Sequence, residues 1–143
     1  MIENFEYYKT EGKVKKRSID VSMARSLMEL SKKHLEYIRS QKISKENARF
    51  LFKDIYDTIR ESSQSLMCLR GFKPLSHEAI IAFLRDVMLV EIKYVDGFNR
   101  FRVLRNRVSY EAVDLDDETC NEAFEFLKEF LLMIKKIYVR ELK

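Results

Sequence analysis

The chain has 143 residues, 46% of them hydrophobic and 35% charged. That is apolar enough to bury one core and rule out a disordered chain, and too charged along its length for a membrane-spanning one. Twenty-seven basic and twenty-three acidic residues leave a formal net charge of +4, which alone points to no partner. The start has no signal-like apolar core, and Cys68 and Cys120 lack a CxxC spacing. The expectation is one cytoplasmic domain over 1–143 with reduced thiols, no metal and no cofactor.

Residues 1–17 read as an irregular basic segment, in which Lys9, Lys13, Lys15, Lys16 and Arg17 stand against one acid, Glu11. From Val21, apolar residues recur at Ala24, Leu27, Met28, Leu35 and Ile38, one helical face, and the spacing predicts a first helix over 18–39. A second runs from Ser44 to Arg70 on the stripe Ala48, Leu51, Phe52, Ile55, Ile59, Leu66 and Leu69, with Gly71 able to close it in a left-handed conformation. Ser76, after Pro74, caps a third helix, "SHEAIIAFLRDVML", whose nearly unbroken apolar run predicts a central position.

"VDGFNR" then reads as a turn on Asp96 and Gly97, after which Asn99 caps a shorter fourth helix. The fifth starts among Asp116, Asp117 and Glu118 and ends among Lys135, Lys136 and Arg140, as the helix dipole favours. With no alternating strand pattern, no repeat and no low-complexity tract, the fold class is all-α, a bundle of four or five helices.

Chemistry concentrates in the fourth helix, at "VLRNRVSYEA". At about 100° per residue, Phe101, Leu104, Val108 and Ala112 form a core stripe, while Arg102, Arg105, Asn106, Ser109 and Tyr110 share a polar sector of about 140°. Arg100, Arg102, Arg105 and Arg107 stand together with no acid before Glu111. Such a cluster repels itself unless something anionic binds. Of the two histidines, His77 opens the third helix and His34 sits beside Lys32 and Lys33; both read as structural or solvated. There is no phosphate-cradling glycine loop, HExxH, GxSxG or well-spaced Ser-His-Asp set.

Two blocks, "LRGFKPLSHEAIIAFLRD" (69–86) and "LRNRVSYEAVDLDDETCNEAFEFLKEF" (104–130), with the long helices before them, give the chain a resemblance to the HEPN domain family (higher eukaryotes and prokaryotes nucleotide-binding), in its small stand-alone prokaryotic and archaeal form. The resemblance implies an up-and-down four-helix bundle with a fifth short helix, dimerising so that the motifs of two copies face each other. It places the motif arginine at Arg105, the following polar residue at Asn106 and the motif histidine position at Tyr110. Active members are metal-independent endoribonucleases, in which the arginine stabilises phosphate charge and the histidine moves protons. A phenol, with a reference pKa of about 10, is a poor base at neutral pH, yet it offers a flat ring for base stacking.

The implied function is therefore RNA or nucleotide binding by a homodimer through Arg102, Arg105, Asn106, Arg107, Ser109 and Tyr110, with weak or no cleavage. Two alternatives accompany it: the helical partner of a small nucleotidyltransferase in a toxin-antitoxin-like pair, and an endoribonuclease using Arg105 with Tyr110.

Overall fold

The structure, a computed structural model, describes residues 1–143. Its elements are α1 (Phe5–Thr10), β1 (Val14–Lys16), α2 (Val21–Ser40), α3 (Ala48–Arg70), β2 (Phe72–Pro74), α4 (His77–Asp86), α5 (Ile92–Tyr110) and α6 (Asp117–Glu141). The all-α class holds, with one two-stranded antiparallel ribbon added to it.

α3 is the axis. It buries Leu51, Phe52, Ile55, Tyr56, Ile59, Leu66 and Met67, and α2 and α6 make the two most extensive helix pairings of the fold against it. Small residues let α2 approach closely: Ala24 and Ser31 on α2 and Ser62, Ser63 and Ser65 on α3 are all buried. Their hydroxyls bond to carbonyls of their own helices, as Ser31 does to Leu27 and Ser63 to Ile59, so none is buried unpaired.

Local chemistry sets the helix ends. α2 starts at Val21 rather than Ser18 because the Asp20 side chain accepts from the Met23 N–H at 2.9 Å. α3 starts at Ala48 rather than Ser44 because Asn47 Oδ1 accepts from the Ser44 N–H at 2.8 Å, holding that stretch as a turn. Ser76 caps α4 as its sequence predicts, accepting from Ala79, and Asp116, read from the sequence as one of the acids at the start of the last helix, caps α6 by accepting from Thr119. α4 is central: Ala79 through Leu84 are completely buried.

Two expectations are corrected. The basic leader is ordered, forming α1 and β1. β1 pairs with β2 in the register Val14 with Pro74, Lys15 with Lys73 and Lys16 with Phe72. Phe5 packs edge-on against Phe72 and Phe83, its N–H donates to Asp86 Oδ2 at 2.9 Å, and Arg85 donates to the Ile2 and Glu3 carbonyls. Gly71 makes the junction possible. Its φ of 77° is left-handed, and a Cβ there would lie 2.5 Å from the Arg17 carbonyl oxygen.

The second correction concerns Gly97. The chain does not turn at Asp96 and Gly97; α5 runs straight through them from Ile92, and Asn99 is mid-helix. The glycine serves packing, since a Cβ at Gly97 would lie 2.2 Å from Phe126 of α6. The aromatic seam so formed joins Phe98 to Tyr56 and Phe130, and Phe101 to Phe52 and Phe126. It belongs to a single core cluster of 31 buried residues. No helix is long and apolar enough to cross a membrane.

Candidate functional site

The seam fixes one face of α5 against α3 and the start of α4. Three side chains meet there that the linear sequence keeps apart: Tyr56 of α3, His77 of α4 and Arg105 of α5. The Tyr56 hydroxyl and His77 Nδ1 are 2.8 Å apart, and the Arg105 guanidinium lies over the Tyr56 ring, 5.8 Å from its centroid. Arg102 flanks them. Its Nε donates to Asn99 Oδ1 at 3.0 Å, and its Nη1 approaches Glu78 Oε1 at 3.9 Å. Arg60, one turn beyond Tyr56, adds a third guanidinium, with Asp57 at 3.7 Å. At the far end of this face Arg49 donates to the Val108 carbonyl at 3.2 Å, satisfying a carbonyl in the last turn of α5.

Burial, and then the charges of Arg60 and Arg105, hold the His77 imidazole below its ordinary range, so it is neutral at neutral pH. Burial also pushes the Tyr56 phenol well up against the opposing pull of Arg102 and Arg105, and it keeps its proton. A protonated phenol and a neutral imidazole share this hydrogen bond in either of two senses: Tyr56 O–H donates to Nδ1 with the ring proton on Nε2, or Nδ1–H donates to the Tyr56 oxygen and leaves Nε2 free to accept a proton.

The arginines of α5 do not act as one set. Arg100 forms a bidentate pair with Glu122 of α6, at 2.7 and 3.1 Å. The acids missing from the local sequence thus arrive from α6 and α4, which corrects the expectation of an uncompensated cluster. Arg105 and Arg107 have no carboxylate within ion-pair distance. Arg105 Nε is also shut away from water without any hydrogen-bond acceptor. Buried N–H groups are paired in the great majority of cases, so an unpaired one on a guanidinium asks for an explanation.

The residues read from the sequence divide accordingly. Arg102 and Arg105 are brought together and half-buried; Asn106 is half-buried beside them, and Ser109, four residues after Arg105, is exposed on the same strip of α5. Arg107 is exposed about 200° around the helix from Arg105. Tyr110 ends α5 with 78% of its surface exposed and stands outside the Tyr56–His77 pair. Sequence reasoning missed Tyr56, His77 and Arg60. Tyr56 lies on the apolar stripe of α3 and reads as core; the one local signal is the i,i+4 spacing of Tyr56 and Arg60. His34, by contrast, pairs with Glu61 across α2 and α3 at 2.9 Å and pins those helices.

Fold and site together define a helical protein with a partly buried cationic face built around a phenol–imidazole pair. Comparison with protein-family models, with curated proteins and with solved structures returned no match.

Proposed function

We propose that the Arg102–Arg105 face binds the phosphate groups of RNA or of a nucleotide with little or no cleavage, the function that the HEPN resemblance also implies. The observation that carries this reading is Arg105: a guanidinium with a buried, unpaired Nε–H and no neutralising carboxylate. A phosphate on the open side of the half-buried guanidinium supplies the missing charge and accepts from its remaining N–H groups. Arg102, held in place by Asn99 and Glu78, is a second donor already oriented. Asn106 and Ser109 offer hydrogen bonds beside it and exposed Tyr110 a ring on which a base can stack, while Arg107, on the far side of α5, adds only to the general positive field. In the two-fold dimer that the resemblance implies, two Arg105 side chains share one groove.

The test is binding of a short labelled single-stranded RNA by fluorescence anisotropy. Arg105→Ala is expected to weaken binding about tenfold to a hundredfold, the worth of a charged hydrogen bond. Equal affinity of Arg105→Ala and wild type would overturn the reading.

A second reading, metal-independent cleavage, is favoured by one observation. His77, neutral and oriented by Tyr56, shares the site with Arg105 and is a better proton acceptor than Tyr110. In such a reaction His77, in the tautomer whose Nδ1–H donates to the Tyr56 oxygen, takes the proton of an attacking 2′-hydroxyl at Nε2, the new O–P bond forms as the 5′-oxygen leaves with a proton from water, and Arg105 stabilises the charge on phosphorus. Incubation of RNA with the pure protein in chelator separates the readings: cleavage lost in His77→Gln supports the second, and intact RNA the first.

A further inference from the structure

A second feature lies on the opposite side of α3 and shares no residue with the arginine face. α2 and α6 each pack on α3 but barely touch one another, and between them runs a groove of about 600 Å³. Its floor and walls are apolar, with Met28 and Leu35 from α2 and Leu131, Leu132, Tyr138 and Val139 from α6. Leu132, well inside α6, and Val139, in its last turn, are 63% and 47% exposed. The α6 wall from Lys128 to Val139 is about 16 Å long, or three helical turns. An open apolar channel of that length matches one face of a short amphipathic helix.

The rim says which helix. Arg25, Lys32, Arg39 and Lys135 border the groove without an ion-pair partner, whereas Lys128 is paired with Glu125. Two acids, Glu29 and Glu36, share the rim and lie within ion-pair distance of none of these cations. We infer that this groove docks an amphipathic helix of a partner protein whose apolar stripe is flanked by Asp or Glu. A second copy of this chain would bring the same basic rim against itself, and like charges so placed cost affinity. RNA has no apolar stripe for the floor. A lipid surface is flat where this channel is concave.

The probe is a three-turn synthetic helix with leucines at i, i+3/4 and i+7 and glutamates flanking them, compared with the same peptide carrying lysines in place of the glutamates. Wild type is expected to bind the glutamate peptide at least tenfold more tightly than the lysine peptide. Leu132→Glu should weaken that binding tenfold or more while far-ultraviolet circular dichroism stays unchanged, because Leu132 is exposed in the free protein. The double reversal Lys32→Glu with Lys135→Glu should transfer preference to the lysine peptide. Equal affinity for the two peptides, or binding of neither, would overturn the inference. So would a wild-type dimer by light scattering that Leu132→Glu dissolves, which assigns the groove to a second copy. Sedimentation with phosphatidylserine–phosphatidylcholine vesicles that Leu132→Glu abolishes would assign it to a lipid surface and overturn it equally.

Discussion

Arg105 and His77 come from different helices and both meet Tyr56 of a third. Tyr56 supports both, through its ring under the guanidinium and its hydroxyl on the imidazole. The His77 proton is therefore linked to both stability and binding. Its folded-state pKa lies below the unfolded value near 6.5, so the unfolded chain binds the extra proton first, and stability is lost as pH falls from about 6.5 through the folded value. Asp86, Glu122 and Glu141, each held low chiefly by an arginine partner, lose their contributions only below the ordinary carboxylate range. Urea denaturation just above and just below pH 6 should show a slope that His77→Gln flattens. RNA affinity should move the other way, tightening as pH falls, because protonated His77 adds a cation to the site; His77→Gln should remove that trend. Ala112, just past the end of α5, has φ 52°. Ala112→Gly is expected to stabilise the fold by about 1 kcal/mol, the cost of a left-handed alanine, in the same denaturation assay.

At the scale of elements, α5 is where local and tertiary signals diverge. Gly97 costs about 1 kcal/mol relative to alanine in a helix, yet the Phe126 ring occupies the space a Cβ would need. Gly97→Ala is therefore expected to destabilise by about 1–3 kcal/mol, overpacking outweighing propensity, as read from the urea midpoint. The same divergence explains what was legible in the sequence. Ser76 announces α4 because a cap is local chemistry, the acids at 116–118 announce the start of α6 because they complement the helix dipole, and the unbroken apolar run from Ala79 to Leu84 announces a central helix because burial on all sides leaves no polar face. Gly97 misled because a close approach by a ring from α6 looks, in one dimension, like a turn. β1 and β2 are three residues each, too short to show alternation, and the aromatic contacts that dock them come from Phe5, Phe72 and Phe83, separated in sequence. Arg105 was legible as part of a charge cluster; its partners Tyr56 and His77 were not, since only packing of the seam brings α3 and α4 to it. Deleting residues 1–17 should expose Phe72 and Phe83 and lower the melting temperature markedly, against the near-neutral result expected of a loose tail.

Across the whole molecule, a net charge of +4 conceals an organised distribution. Arg70, Arg85 and Arg100 are absorbed by Glu141, Asp86 and Glu122, which leaves the arginines facing Tyr56 and His77 as a local concentration of positive charge. A two-fold dimer through α5 would double that concentration in one groove, and light scattering should then return twice the chain mass at micromolar concentration, a monomer counting against it. The central claim is that Arg105 is a phosphate ligand, and the salt dependence of RNA binding tests it most directly. The logarithm of affinity should fall linearly with the logarithm of salt concentration, because each phosphate contact releases counterions. Arg105→Ala should reduce the magnitude of that slope by about one contact's worth. An affinity that does not change with salt, or a slope identical in wild type and Arg105→Ala, would contradict the account.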